Sequence, residues 1–278
     1  MTQPWRSVRI DDCTERQAVI AALFDVGSQG IHEDADALIT HFPPNTDTDA
    51  IVAAVTTVDP GARVSVADAP PVSWDEWRAD VGAHQVGTLI VAPPWLAHQF
   101  DPATTIVIDP AMAFGTGEHP TTRGMMRLMH SVIRAGDSVA DLGAGSAVLS
   151  IAAAMLGATR VAAIELDPDS VATAEENIAR NEVGDVVRFV QGDATILLAL
   201  VAPVRVVLAN IVSSVLAELM PEIAAALSPG GEAVLSGILV EERDMMLALF
   251  GRGGWHVTSE DVEGDWWSVA LRGSAAHR

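Results

Sequence analysis

Short apolar runs alternate with stretches of helical composition along this chain, most densely over residues 138–167. Residues 139–142 have the length and flanking expected of a buried strand. A turn with Gly143 and Gly145 follows, then an Ala-rich run of strong helix formers to Leu156, with Gly157 where a C-cap belongs. A second apolar run, 161–166, carries Glu165 near its end and is followed by Asp167. The pattern predicts a strand-helix-strand unit, the crossover that parallel pairing requires. The rhythm continues with strands at 187–190, 205–209 and 233–236, helices at 216–227 and 241–250, and a closing strand pair at 257–262 and 266–271. Strands alternating with helices in this way predict an α/β fold with a largely parallel sheet. Trp255, Trp266 and Trp267 are expected to pack that sheet.

The first 68 residues run differently. A strand at 7–10 is followed by a helix entered through Thr14-Glu15-Arg16-Gln17 in the manner of a capping box. Two strands follow, around Ile31 and over 37–42, then a helix over 47–58 and a strand over 63–67. The order β-α-β-β-α-β is that of a small ferredoxin-like module. It carries no catalytic constellation, and the acidic stretch 32–36 reads as a solvated turn in preference to a metal site, so the module's expected role is to hold a partner. Ala69-Pro70-Pro71 marks a boundary. Residues 69–103 are expected to be a linker, with a short helix bearing Trp74 and Trp77, and residues 104–278 the second domain. Strands are expected at 86–92 and 104–108.

Charge narrows the field. Among 278 residues, 37 acidic side chains outweigh 16 basic ones for a net charge of −21, which repels nucleic acid and anionic membrane and attracts a basic protein. All the basic residues are arginine, so Schiff-base and P-loop lysine chemistry are excluded. The single cysteine, Cys13, allows no internal disulfide, and the eight histidines show no metal-ligand spacing. The N-terminus lacks the apolar stretch of a signal peptide. Residues 196–219 are apolar, but Pro203, Arg205, Asn210 and Ser213-Ser214 interrupt them, so a loop and a buried strand are expected rather than a membrane span. The expectation is a soluble, cytoplasmic, monomeric protein without a metal.

The chemistry concentrates in two stretches. Glycines at a strand-to-helix turn let a ligand approach the main chain, and the helix N-terminus points free N–H groups at it. A carboxylate ending the next strand suits a ribose diol; here Glu165 comes 22 residues after Gly143. Dinucleotide and S-adenosylmethionine sites share this arrangement. Val148 stands where a dinucleotide fingerprint has its third glycine, and Asp141 precedes the turn. Asp141-Leu142-Gly143-Ala144-Gly145-Ser146 resembles the first motif of class I methyltransferases, with Ala147 in place of the last glycine. The second stretch, 109–123, combines glycines, prolines and threonines in a loop able to line a pocket. Its His119 reads either as an acid or base or as a hydrogen-bonded spacer.

Phe114-Gly115-Thr116-Gly117-Glu118-His119-Pro120-Thr121-Thr122 resembles the signature of the ribosomal protein L11 methyltransferase family. Ala209-Asn210-Ile211-Val212 and Ser236-Gly237-Ile238-Leu239 are similar to that family's motifs after its fourth and fifth strands. The resemblance spans nearly the whole chain. It implies a Rossmann-like class I domain that binds S-adenosylmethionine, with the ferredoxin-like domain presenting ribosomal protein L11. It further implies that Phe114, Gly115, Thr116 and Thr122 close over the cofactor, and that Asp141, Gly143 and Gly145 belong to the motif receiving its methionine and sugar. Glu165 would take the ribose hydroxyls, Asp193 the adenine edge, and Asn210 the reacting end. The family has aspartate where Glu165 stands and proline where Val215 stands. Three rivals follow: a methyltransferase of another protein or a small-molecule amine or hydroxyl, a catalytically silent binding module, and a nicotinamide oxidoreductase.

Overall fold

The computed structural model describes residues 5–28, 31–34, 37–69, 81–109 and 117–273, and the chain divides into two compact units, 1–80 and 81–278. The first unit contains β1 (Arg6–Asp11), α1 (Arg16–Asp25), β2 (Ile31–Asp34), β3 (Ala37–Phe42), α2 (Thr48–Val58) and β4 (Arg63–Asp68). Its strands pair antiparallel throughout in the order β2-β3-β1-β4. Val8 and Ile10, two apart, leave the same face of β1. They join Leu38 and Phe42 in a core closed by Val19 and Leu23 of α1 and Ile51 and Val55 of α2, each helical pair one turn apart. The acidic stretch begins within β2, and its last two residues lie outside the described ones.

The expected capping box does not start α1. Glu15 is its N-cap and makes no side-chain cap hydrogen bond. Asp59, just past α2, accepts instead from the Thr14 N–H at 2.6 Å, the Thr14 hydroxyl at 3.1 Å and the Glu15 N–H at 2.9 Å. These bonds, with one from the Gly61 N–H, hold the Asp59 carboxyl below its usual range, that from Glu15 contributing most.

The second unit opens with β5 (His84–Val86), β6 (Leu89–Ala92), the short α3 (Pro94–Ala97) and β7 (Thr105–Val107), a sheet in that strand order. The single strand expected over 86–92 is thus a hairpin, turned at Gly87 with φ +62°. The linker helix expected around Trp74 and Trp77 lies outside the described residues.

Seven strands form the central sheet: β8 (Ser138–Leu142), β9 (Arg160–Glu165), β10 (Val187–Gln191), β11 (Val204–Asn210), β12 (Leu227–Leu239), β13 (Trp255–Glu263) and β14 (Trp266–Gly273). Their order is β10-β9-β8-β11-β12-β14-β13, the first five parallel and β14 antiparallel to both its neighbours. Helices α4 (Pro120–Val132), α5 (Val148–Met155), α6 (Val171–Arg180), α7 (Ala194–Val201), α8 (Ser213–Ala226) and α9 (Arg243–Arg252) accompany it. Val139, Val206 and Leu208 enter one apolar core with Met125, Met129 and Ile151. Their neighbours Ala140, Val207 and Ala209 enter another with Leu216, Ile223 and Trp267. Burial on both faces is why these strands read as unbroken apolar runs.

Residues 196–219 are helix, strand and helix (most of α7, β11, the first half of α8), not the loop and strand expected. No helix among the described residues is long and apolar enough to cross a membrane. The helix went unseen because α7 is apolar on its exposed side too, at Ile196 and Leu200 as well as the buried Leu198, which erases the periodicity.

Candidate cofactor site at the strand-order reversal

From β8 the sheet grows one way through β9 and β10 and the other way through β11, so the strand order reverses between β8 and β11. Ligands of open α/β sheets bind outside the carboxyl ends of the strands at such a point. The loop leaving β8 is built for close approach. Gly143 has φ +69° and Gly145 φ +51°, and the Gly143 and Ala144 N–H groups donate to the Ile164 carbonyl at 2.9 and 3.1 Å. Ala147, the N-cap of α5, also stands in the left-handed region at φ +67°, where a residue with a Cβ costs about 1–2 kcal/mol. Asn177 of α6 braces this turn by donating from Nδ2 to the Ser146 carbonyl at 3.1 Å.

Glu165 ends β9 and ties the loop to its strand. Its Oε2 accepts from the Gly145 N–H at 2.8 Å and its Oε1 from the Asp167 N–H at 2.9 Å. Beneath the loop, Asp141 is wholly buried; Oδ2 accepts from the Ser150 hydroxyl at 2.7 Å, and Oδ1 has no partner among the described residues. Burial pushes its pKa up to about 7, opposed by the Ser150 bond and reinforced by the Glu165 charge. Asp193 caps α7, its Oδ1 accepting from the Thr195 N–H at 2.8 Å and hydroxyl at 2.7 Å, and these bonds lower its pKa, that from the hydroxyl first.

A cavity of about 200 Å³ opens here, lined among others by Gly143, Glu165, Leu166, Asp193, Thr195 and Ile211. Three residues expected from the sequence, Gly143, Glu165 and Asp193, therefore line one cavity, and Gly145 joins them through Glu165. Asn210 ends β11 beside Ile211, its Cα opposite Ser236 of β12. Thr122 of α4 and His119, just before that helix, are not among the lining residues. Thr122 is fully buried, its hydroxyl without a partner among the described residues. His119 caps α4, its Nδ1 lying 2.7 Å from the Thr121 hydroxyl and its ring edge-on to Trp266 at 5.0 Å. Desolvation, helped by Arg123, lowers its pKa and so favours the uncharged ring. Phe114, Gly115 and Thr116 lie outside the described residues. No group of three metal-ligating side chains occurs among the described residues.

The sequence singles out neither Leu166 nor Thr195 nor Glu218 of the lining, and Ile211 only within the motif that holds Asn210. Of those three, Leu166 left a signal: an apolar residue directly after the carboxylate, 68 % exposed in the structure.

The family model for ribosomal protein L11 methyltransferase (PrmA) matches residues 4–273. The chain belongs to the ribosomal protein L11 methyltransferase family. A ribosomal protein L11 methyltransferase of Streptococcus pyogenes is 28% identical over 97% of this chain and 96% of its own. One from Geobacter sulfurreducens is 33% identical over 87% and 84%. The crystal structure of the ribosomal protein L11 methylase of Lactobacillus delbrueckii subsp. bulgaricus superposes with a TM-score of 0.62 at 26% identity, covering 70% of this chain and all of that one. Like its family, this protein is an S-adenosylmethionine-dependent methyltransferase, and its site suits that nucleoside. Gly143 lacks the Cβ that would collide with Ile211 of the lining, a carboxylate ends the neighbouring strand, and beneath the loop Asp141 Oδ1 is buried without a partner among the described residues.

Proposed function

We propose that the protein methylates amino groups of ribosomal protein L11, on lysine side chains or at the N-terminus. The observation that carries the reading is the meeting of the glycine loop and the Glu165 carboxylate at one cavity, in a chain that matches its family from residue 4 to 273. S-adenosylmethionine, bound there, supplies a methyl group on a positively charged sulphur that departs readily. Glu165 accepts from the ribose hydroxyls while keeping its two backbone donors. Asp193, which accepts from Thr195 through Oδ1, turns Oδ2 to the adenine edge. Gly143 and Gly145 admit the methionine and sugar portions, Asp141 supports them from below, and Thr122 closes the site with Phe114, Gly115 and Thr116.

The accepting amine reacts only through a free lone pair, so it must first lose its proton. The Asn210 side-chain carbonyl and the backbone carbonyl after it accept its N–H groups and aim that lone pair. Positioning of this kind supplies most of the acceleration. The net charge of −21 draws in a basic substrate. Residues 1–68, a ferredoxin-like module, hold L11; residues 69–103 link it to the transferase domain, 104–278, the linker from residue 81 onward packing within the second unit. The enzyme works as a cytoplasmic monomer and engages no nucleic acid directly.

Mass spectrometry of L11 incubated with the enzyme and S-adenosylmethionine tests this: mass increments of whole methyl groups are expected. Unmodified L11, with calorimetric binding of the nucleoside retained, overturns the substrate and favours a different acceptor. The motivation for that second reading is Val215, which lines the cavity 41 % exposed where the family resemblance calls for proline. Absence of nucleoside binding overturns the enzymatic reading altogether.

A further inference from the structure

We propose that Glu242, acting with a bulge at Gly237, is a positioning residue that clamps the loop following β11 and so fixes where Asn210 stands. The inference rests on the reading of Asn210 as the group that aims the amine. Three independent contacts converge on this loop, and all arise from ordinary packing and hydrogen-bond chemistry.

The Ile211 side chain lies over the glycine loop, its Cγ2 2.6 Å from where a Cβ on Gly143 would stand. The Ile211 backbone lies against β12. Between Leu235 and Ile238 the pairing of β12 with β14 slips by one residue, and Gly237 inside that slip has φ +82°. A Cβ there would fall 2.7 Å from the Ile211 carbonyl carbon, so only glycine admits this approach. Such bulges bend a strand and re-aim its neighbours beside active sites. The third contact is ionic on one side only: the Glu242 carboxylate accepts from the Ser213 hydroxyl at 2.6 Å and from the Leu239 N–H at 2.9 Å. Glu242 thereby ties the exit of β11 to the exit of β12. It does not line the cavity. Ile211, directly after Asn210, is held between two glycines, and Glu242 ties the loop from outside.

The bonding pattern predicts which substitution is tolerated. Glutamine can still accept from Leu239 through its carbonyl and donate to the Ser213 oxygen through its amide, because a hydroxyl is donor and acceptor. Alanine can do neither. Steady-state methylation of L11, calorimetric titration with S-adenosylmethionine and thermal unfolding are measured on the full chain. The variants are Glu242→Ala, Glu242→Gln, Ser213→Ala and the double alanine variant.

Glu242→Ala is expected to lower kcat about 10- to 100-fold, the cost of a misplacement on the order of 1 Å. Nucleoside affinity should stay within about twofold, since the carboxylate acts on the acceptor side. Glu242→Gln should restore most of kcat. Ser213→Ala should reproduce the loss, and the double variant should be no worse than either single one, as for two halves of one contact. Ser213→Ala removes a single hydroxyl and carries the test should Glu242→Ala fail to fold. An active wild type with undiminished Glu242→Ala or Ser213→Ala turnover overturns the clamp and leaves the function standing. So does a loss shared equally by kcat and nucleoside binding, or multiplicative losses in the double variant. A wild type inert toward L11 overturns the functional reading, and the clamp with it.

Discussion

Replacing Glu165 with glutamine tests the cofactor site at its best-defined point. The carboxylate accepts from two backbone donors, one on each oxygen, at 2.8 and 2.9 Å. A glutamine carbonyl can serve one of them; the amide nitrogen then confronts the other N–H, donor against donor. One charge-assisted bond disappears, worth about 1.5–3 kcal/mol, and partial exposure at Glu165 favours the lower end. The folded chain should therefore lose roughly 1–2 kcal/mol, read by urea denaturation. A ribose hydroxyl that donated to the carboxylate loses a bond of the same kind. The dissociation constant for S-adenosylmethionine should rise about 10- to 100-fold, read by calorimetry. An unchanged affinity with reduced stability would refute the sugar contact and leave Glu165 as a brace for the loop. Neither change would refute both.

Asn210→Ala should abolish transfer to L11 while leaving nucleoside affinity nearly intact; parallel loss of both in the same assays counts against its role at the reacting end. Asp141, with its pKa raised from 3.8 to about 7, holds a proton in the folded chain that the unfolded chain releases. Its contribution to stability is thus greatest in acid and is lost as the pH rises from about 4 to about 7, by at most about 4 kcal/mol. Asp141→Asn should remove that slope from a pH series of urea midpoints, and an identical slope would sink the assignment. Asp59→Ala leaves the Thr14 and Glu15 N–H groups without their acceptor. Amide exchange along α1 should accelerate, with the amides of β8 and β11 unaffected.

The sheet was legible because its strands are buried on both sides, so 139–142 and 205–209 stand out as apolar runs whatever packs on them. The glycine turn and Glu165 were legible because one strand-helix-strand crossover returns the chain to the neighbouring strand, which sets their spacing and brings the two strand ends side by side. Contacts between distant segments left no such trace. Nothing local to Thr14 announces that Asp59 will accept its N–H, and nothing local to Ser213 announces Glu242. The hairpin at Gly87 was read as one strand because a two-residue turn barely interrupts an apolar run. Helix α7 was missed where its exposed face, at Ile196 and Leu200, is as apolar as its buried one.

The antiparallel β14 sits between β12 and β13, although it is the last of the sheet's strands to be synthesised. As the polypeptide emerges, β8 to β11 find their neighbours in turn, but β12 waits with one side bare until residues 266–273 arrive to occupy it. A bare apolar border of this kind invites pairing with another nascent molecule. A stall or premature stop before residue 266 would leave it permanently uncovered, making such fragments sticky rather than merely incomplete.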